Sequence, residues 1–367
     1  MSNVPVVFLI LLSAVLSVEL QIATPVIEML AGAIGENVFH LEIGDELRYL
    51  SNLGLLTLMF LAGLELDLHR LKSNIREPVM LGASSFFVPF IPISVLTYLY
   101  SNNFYQALFI ATALSTTAVA IVYPILREAR FLAYKKGQTL YSATVVLDLL
   151  TLVILSFLVF EFTLSTLIAV PLLIVLLYFT PDLSRSLLKR YRDVDAEIEL
   201  RFILLLLLGI SALSEYGNID VALTAFFLGA FTSEAFKHHE GLEKKLRSLA
   251  FGFLTPFFYF VAGSTIDFKE VLNYLPQALA LFALSFSLKF LGSYLPTKKI
   301  QPEHARYVGF LFANQLTLGI IAATIGFHAG HLNQGVYSML VIIVLATSIV
   351  SSFAIGRKKC GLDMICE

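Results

Sequence analysis

The chain has 367 residues, of which 57% are hydrophobic and only 14% are charged, and its mean hydropathy is +0.82. A soluble protein of this length needs more polar surface to cover its core, so the composition excludes that class and indicates a polytopic membrane protein. The net charge of −2 and the absence of a basic stripe interleaved with aromatic residues give no indication of a nucleic acid partner.

Apolar segments separated by charge clusters and turn residues follow one another along the whole chain. A membrane-spanning helix needs about 20 mostly apolar residues, and on this basis the sequence predicts an all-α fold with thirteen transmembrane helices. The first segment lacks a basic start and a small-residue cleavage site, so we expect it to be retained rather than removed as a signal peptide. The segments are expected at about 3–18, 21–39, 48–66, 78–100, 104–126, 138–160, 163–180, 200–217, 219–236, 249–266, 274–296, 304–327 and 333–356.

Lysine and arginine are distributed unevenly between the two sets of connecting loops. All but three of the 25 basic residues lie in loops that follow odd-numbered segments. Arg48 and Lys269 lie in even-numbered loops, and Lys289 lies inside the eleventh segment. By the positive-inside rule, the N-terminus is expected outside and the C-terminus in the cytoplasm.

Polar stretches are few, and none is long enough to form a soluble domain. The largest is 180–201, which is either an amphipathic connector between two halves of the bundle or a solvated linker. Cys360 and Cys366 lie in the C-terminal tail without further metal-ligand residues nearby, so we interpret them as incidental.

Two opposite charges lie in the middle of apolar segments. Asp148 interrupts "YSATVVLDLLTLVILSFLVF", and Lys289 interrupts "LALFALSFSLKFLGSYL". Each charge costs about 2.5–3.5 kcal/mol at a helix centre, so such residues are rare and usually functional. Two interpretations of this pair are open: a structural ion pair, or a proton and cation site at Asp148 with Lys289 as its neighbour.

Two further acidic residues lie near membrane segments. Glu28, in "TPVIEMLAGAIG", is surrounded by glycine and proline residues that indicate close helix packing, and we favour a structural or peripheral role for it. Glu65 lies where the third segment is expected to meet the cytoplasm, which favours an interfacial role.

Two segments carry polar residues at mid-depth that predict an interrupted helix. The first contains Ser115, Thr116 and Thr117 ahead of Pro124, and the second contains "FANQLTLGIIAATIG" with Asn314 and Gln315. Irregular backbone at this depth is tolerated only inside protein or around a cavity. Taken singly, each cluster favours ordinary Ser/Thr helix packing, and it is the pairing of the two clusters that favours interrupted helices.

The two interrupted segments are the middle members of two triplets, segments 4–6 and 11–13. The triplets are seven segments apart, and with strictly alternating topology an odd shift inverts the second triplet relative to the first. Interrupted helices in matching positions of two inverted halves mark the binding site of secondary transporters. The sequence therefore predicts an inverted repeat with a site at the two interruptions.

Several motifs in order along the chain resemble those of the second family of monovalent cation:proton antiporters, which includes bacterial Na+/H+ exchangers and the membrane domain of Kef-type potassium efflux proteins. They are "TPVIEMLAGAIG", "NLGLLTLMFLAGLELDL", "ALSTTAVAIVYPIL" and "FGFLTPFFYFVAGSTIDF". The resemblance covers almost the whole chain and implies an antiporter, not an enzyme, in the membrane of a prokaryotic cell.

The resemblance also implies an architecture and a set of roles. It implies a homodimer in which a core domain, about 78–160 and 274–356, moves against a dimerisation scaffold, about 1–66 and 163–266. Unlike Kef-type relatives, this sequence is expected to have no soluble regulatory domain. Asp148 matches the essential carboxylate that binds cation and proton in turn. Thr116 and Thr117 match the unwound stretch beside it, and Lys289 matches the basic residue often found near the site.

One departure from the family pattern bears on the coupling of the two ions. Many members have Asp, Asn or Gln directly before the essential aspartate, whereas this chain has Leu147. With one carboxylate, Na+, Li+ or K+ would compete with H+ for Asp148, with oxygen atoms near Ser115, Thr116 and Thr117 as further ligands. We therefore expect electroneutral exchange without any cofactor. If Lys289 released a proton in each cycle, exchange would instead be electrogenic.

Other classes of membrane protein find less support. The chain has no selectivity-filter motif of a channel, and an organic-solute symporter would be expected to have more polar groups in its core than one Asp–Lys pair. His238, His239, His328 and His331 lie at segment ends without the further ligands of a metal site, so we interpret them as interfacial or pH-sensing.

Overall fold

The computed structural model describes residues 4–20, 22–64, 75–118, 122–123, 125–126, 131–159, 163–190, 197–236 and 240–356. Every regular element within these ranges is helical. The α-helices in chain order are α1 (Val4–Leu20), α2 (Thr24–Asn37), α3 (Asp45–Leu64), α4 (Arg76–Ser101), α5 (Phe104–Ala113), α6 (Lys135–Val159), α7 (Leu164–Arg190), α8 (Ile198–Tyr216), α9 (Val221–Phe236), α10 (Glu240–Leu249), α11 (Thr255–Ser264), α12 (Phe268–Asn273), α13 (Leu275–Ile300), α14 (Ala305–Phe312), α15 (Leu316–His328) and α16 (Gln334–Gly356).

Seven helical stretches in the described part of the chain are long and apolar enough to cross a membrane. They are Asp45–Leu64, Arg76–Ser101, Lys135–Val159, Gly241–Ser264, Leu275–Ile300, Pro302–His328 and Gln334–Ile355. Shorter apolar helices occur at Val4–Leu20, Phe104–Ala113, Ser165–Thr180 and Val221–Ser233. Each of the thirteen predicted segments contains a helix, although several bounds differ: the helix of the fifth segment ends at Ala113, and α7 continues to Arg190. The count of thirteen crossings and the sidedness stay predictions.

The structure changes the interpretation of the polar stretch at 180–201. Helix α7 does not end with its apolar part but continues to Arg190, so the first half of this stretch is helical. Leucine, lysine and arginine are strong helix formers, which allows the helix to extend beyond the apolar region. The charged residues here therefore end an apolar run without ending the helix.

Packing divides the chain into two compact units. The first comprises Met1–His40, His69–Leu158 and Ala262–Glu367, and the second comprises Leu41–Leu68 and Val159–Val261. The first unit contains all of the site residues predicted from the sequence. The assignment of a moving core and a dimerisation scaffold concerns function and stays a prediction.

In the first unit, α4 and α13 pack closely through small residues. The hydroxyl of Ser84 donates to the main-chain oxygen of Gly292 at 2.9 Å, and the hydroxyls of Ser85 and Ser293 are 3.0 Å apart. Helix α6 packs on α4 at Gly82, where an added Cβ atom would lie 2.6 Å from the main-chain oxygen of Ala143. Small residues permit this approach of backbones in membrane proteins, and here they bring α6 and α13 to the same helix.

In the second unit, α3 and α9 form a similarly close pair. An added Cβ atom at Gly229 would lie 2.1 Å from the main-chain oxygen of Phe60, so only glycine fits at this crossing. Helices α7, α8 and α10, together with the stretch from Ala250 to Val261 that includes most of α11, complete this unit.

Candidate functional site

Two helices of the first unit are interrupted where the sequence predicts interruptions. Helix α5 ends at Ala113, and residues 114–118 form no helix. Helix α14 ends at Phe312, and α15 begins at Leu316 after three residues of irregular backbone. Each interruption leaves carbonyl groups at the C-terminal end of a half-helix without their usual helical donors. Pro124, which follows the first interruption, lies outside the described residues.

The carbonyls at the end of α5 receive hydrogen bonds from side chains. The hydroxyl of Thr116 donates to the oxygen of Ala113 at 3.3 Å, and Nε2 of Gln315 donates to the oxygen of Leu114 at 2.7 Å. Nζ of Lys289 donates to the oxygen of Ser115. The end of α5 is therefore capped partly by Thr116 of the same interruption and partly by Lys289 of α13 and Gln315 of the second interruption.

The carbonyls at the end of α14 receive donors from the first interruption. The hydroxyl of Thr117 donates to the oxygen of Phe312 at 2.9 Å, and the amide of Ala118 donates to the oxygen of Asn314 at 2.8 Å. Thr116 also lies 3.3 Å from the oxygen of Gln315. The two interrupted helices thus cap each other, and this reciprocal capping fixes their crossing.

Lys289 is wholly buried beside this crossing. Besides its bond to Ser115, Nζ donates to the main-chain oxygen of Ser85 in α4 at 3.0 Å. A cation at the C-terminal end of a helix interacts favourably with the helix dipole, so the ammonium group stabilises the end of α5. The carboxylate of Asp148 acts electrostatically on the same ammonium group.

Asp148 lies in α6, and its side chain is 8% exposed. Its helix is brought to the crossing by α4, because Gly82 packs against Ala143 and Val146, while Ser85 one turn later contacts Lys289. The preceding residue, Leu147, is wholly buried and offers no side-chain oxygen. Asp148 is therefore the carboxylate that α6 contributes next to Lys289.

Three wholly buried residues at the crossing have polar atoms without hydrogen-bond partners in the described part of the chain. These atoms are Oγ of Ser115, Oε1 of Gln315 and Nδ2 of Asn314. The other end of the Asn314 amide is satisfied, because its Oδ1 accepts from the hydroxyl of Ser348 at 2.8 Å and from the amide of Leu316 at 3.3 Å. Buried polar atoms are usually paired, so this cluster is exceptional.

The structure brings together most of the site residues predicted from the sequence. Ser115, Thr116, Thr117, Asn314 and Gln315 lie at the crossing, with Lys289 bonded to it and Asp148 acting on Lys289. Glu28 is only 3% exposed but lies in α2, and no hydrogen bond or ion pair joins it to the crossing among the described residues.

Two residues of this arrangement, Ser85 and Ser348, are not among those predicted from the sequence. Ser85 supplies the second carbonyl that binds Lys289, and Ser348 binds the amide of Asn314. A weak signal exists for Ser85, since a glycine and two serines occur within four residues of an apolar helix. None exists for Ser348, because a hydroxyl in a membrane helix usually bonds to its own preceding turn.

Within the ranges that the structure describes, no group of three or more His, Cys, Asp or Glu side chains could hold a metal ion. His331 instead stacks on the ring of Tyr105, with centroids 4.8 Å apart. His238, His239, Cys360 and Cys366 lie outside the described residues, as does Glu65.

Comparison with known proteins places these features in a family. The family model described as "Sodium/hydrogen exchanger, transmembrane" matches residues 6–357. The chain belongs to this family. Membership agrees with the resemblance found in the sequence and makes the chain an all-helical, multi-pass membrane protein of a transporter family.

Relatives in the exchanger family cover most of the chain. It is 26% identical over 352 residues to "Probable Na(+)/H(+) antiporter 3" of Methanocaldococcus jannaschii, covering 91% of this chain and 89% of that protein. It is 25% identical to "Na(+)/H(+)-K(+) antiporter GerN" of Bacillus cereus, covering 85% of this chain and 83% of that protein. The solved structure of the sodium proton antiporter MjNhaP1 from Methanocaldococcus jannaschii has the same fold, with a TM-score of 0.68, 15% identity, and coverage of 97% and 96%.

Proposed function

We propose that this protein is a secondary active antiporter that exchanges Na+ or Li+ for H+ by alternating access. The geometry that carries the proposal is a buried lysine, Lys289, hydrogen-bonded at the crossing of two interrupted helices, with the buried carboxyl group of Asp148 near enough to interact with it electrostatically. Charges at this depth are costly and are kept where they serve transport. Relatives named as Na+/H+ antiporters over more than four-fifths of the chain support the same activity.

Competition for one carboxylate explains how two ions are coupled. Burial favours the protonated form of a carboxyl group, and a bound cation favours the ionised form, so Asp148 holds either a proton or a cation. If the site crosses the membrane only when occupied, an inward flux of one ion requires an outward flux of the other. Because Leu147 supplies no second carboxylate, we infer that one cation is exchanged for one proton without net charge transfer.

The neighbours of Asp148 hold the site in shape. In this proposal Lys289 compensates the charge of Asp148 when the cation is absent and stabilises the end of α5 throughout. The hydroxyls of Thr116 and Thr117 cap the half-helices with their hydrogen atoms, and their oxygen lone pairs remain able to face a cation. Carbonyl and hydroxyl oxygens with water complete the coordination that a hard cation prefers.

The architecture expected from the sequence belongs to the same proposal. We infer thirteen crossings with an inverted repeat, an external N-terminus and a cytoplasmic C-terminus in the inner membrane of a prokaryote. In a homodimer, contacts between the two scaffolds would fix them in place while each core moves. Exchange is proposed to require no cofactor. A green fluorescent protein fused to the C-terminus would fluoresce only if that terminus is cytoplasmic, which tests the sidedness directly.

Potassium is the second candidate cation. Relatives named as Na+/H+-K+ and K+/H+ antiporters show that family members differ in the ion that they carry. An organic solute fits less well, because the polar groups gathered at the crossing are those of a small ion site.

The deciding experiment measures dissipation of a pH gradient in proteoliposomes on addition of Na+, Li+ or K+. Wild-type protein should dissipate the gradient, and Asp148→Asn should not. Asp220→Asn is the matched control, because Asp220 is a carboxylate that caps α9 through the amide of Leu223, and asparagine caps a helix equally well. Unimpaired exchange by Asp148→Asn would overturn the assignment of the site.

A second measurement tests the coupling ratio. Electroneutral exchange produces no transient current when a Na+ gradient is applied to the protein on a solid-supported membrane. A current that depends on Asp148 would instead show electrogenic exchange and a proton released from another group.

A further inference from the structure

The amide of Gln315 has one end bound and one end unbound. Its Nε2 lies 2.7 Å from the main-chain oxygen of Leu114. A carbonyl only accepts hydrogen bonds, so the NH2 end must face Leu114, and the orientation of the amide is fixed. Its Oε1 is buried and has no hydrogen-bond partner among the described residues. Leaving such an acceptor unpaired destabilises a protein, so a partner is expected in some state of the transport cycle.

Gln315 is linked to Lys289 through two adjacent carbonyl groups. Gln315 binds the carbonyl of Leu114, and Lys289 binds the carbonyl of the next residue, Ser115. Asp148 acts on that same lysine. The amide of Gln315 and the ammonium group of Lys289 therefore hold adjacent carbonyls of one unwound stretch.

Ser115 adds a second oxygen of the same kind. Its side chain is wholly buried, and its Oγ has no hydrogen-bond partner in the described part of the chain. Serine hydroxyls in helices usually bond to the preceding turn, as Thr112 does with Leu108 at 2.7 Å. Ser115 makes no such bond among the described residues, so its Oγ and the Oε1 of Gln315 are two unpaired neutral oxygens at the crossing.

Helix α6 provides one side-chain ligand for a cation, Asp148, and these two oxygens can provide further ligands. A hard cation requires several oxygen ligands, and Leu147 contributes none beside Asp148. We propose that Gln315 is a specificity-determining residue whose Oε1, together with Oγ of Ser115, supplies neutral ligands to the cation held by Asp148. The inference rests on the exchange function proposed above and names the residues that select among its cations.

Neutral ligands have a consequence that a second carboxylate would not have. They add coordination without adding a titratable group, so cation binding remains linked to one proton. Attraction between an ion and an oxygen falls with distance, so a small cation gains more from each added ligand than a large one. Gln315 and Ser115 are therefore expected to favour Li+ and Na+ over K+.

The test compares apparent KM values for Li+, Na+ and K+ in proteoliposomes that contain the full chain. Ser115→Ala removes one unpaired oxygen without removing a hydrogen bond, and it should raise the KM for Na+ and Li+ about tenfold, with a smaller rise for K+. Gln315→Met keeps the length of the side chain and should shift the preference in the same direction.

The control separates ligation from packing. Ser348→Ala removes a buried hydrogen bond to Asn314 at the same crossing, where no unpaired oxygen is lost, and should leave the ratio of the three KM values unchanged. Loss of the Leu114 bond in Gln315→Met lowers the maximal rate for all cations equally and does not by itself alter that ratio.

Unchanged KM ratios in Ser115→Ala and Gln315→Met would overturn the inference, and would mean that only ordered water binds these oxygens. If Gln315→Met does not fold, the ratio in Ser115→Ala decides. If the wild-type protein exchanges cations and the variants keep the wild-type ratios of KM values, only the ligand role of Gln315 and Ser115 is refuted. Absence of any cation-dependent exchange in the wild type removes the proposed function itself.

Discussion

Lys289 donates a hydrogen bond to the main-chain oxygen of Ser115, although 174 positions separate the two residues in the chain. This bond places a buried ammonium group at the end of a half-helix, where the dipole is negative. The same side chain interacts electrostatically with the carboxyl group of Asp148. A single side chain therefore connects the unwound stretch of α5 with the carboxylate of α6, and the consequences of its removal are both structural and functional.

Replacement of Lys289 by methionine should destabilise the protein. The variant leaves the oxygens of Ser115 and Ser85 without this donor and leaves Asp148 without the neighbouring positive charge. Removing one of two interacting buried charges lowers the free energy of unfolding by about 3–5 kcal/mol. Thermal unfolding in detergent should show a Tm lower by about 5 °C or more. Lys298→Met, an exposed change on the same helix, should leave the Tm nearly unchanged; equal shifts in both variants would contradict a structural role for Lys289.

Reciprocal capping predicts a distinct result at Thr117. Thr117→Val preserves the shape of the side chain but removes the donor to the oxygen of Phe312. The unpaired carbonyl should cost about 1–3 kcal/mol, seen as a lower Tm and a slower exchange rate. Thr117→Ser retains the hydroxyl and should recover most of both. If serine and valine behave alike, the hydroxyl does not act as a cap.

The sequence predicts which residues form this site better than it predicts their hydrogen-bond partners. Asp148 and Lys289 were evident because charges in apolar segments are rare, and the two interruptions were evident from clustered polar residues. The partners of Lys289 were not, because its donors bind main-chain oxygens of Ser85 and Ser115, and any residue type supplies such an oxygen. Thr116 and Thr117 were predicted as cation ligands, whereas their hydrogen bonds to carbonyls emerge only when the two helices cross.

Close packing of α4 and α6 should make Gly82 sensitive to small changes. An added methyl group in Gly82→Ala would lie 2.6 Å from the main-chain oxygen of Ala143, and neither backbone can yield easily. Overpacking of this kind costs about 1–3 kcal/mol, and separation of the helices would move Asp148 away from Lys289. Fluorescence-detected size-exclusion chromatography and exchange assays should both report the loss. Gly209→Ala in α8, where nothing lies within 4 Å of the added atom, should be tolerated; a similar loss there would point to a general intolerance of substitution.

Competition between proton and cation at Asp148 predicts how pH acts on transport. A cation binds the ionised carboxylate only, so acidification removes binding sites without changing the rate at which occupied sites cross. The apparent KM for Na+ should rise as pH falls, by up to about tenfold per pH unit in the acidic range, while the maximal rate at saturating Na+ stays constant. Initial rates of gradient dissipation over a matrix of pH and Na+ concentrations measure both quantities.

The opposite pattern identifies a different mechanism. A constant KM with a maximal rate that falls on acidification would mean that protons act at a group outside the cation site. Such a result would contradict competition at Asp148 as the basis of coupling.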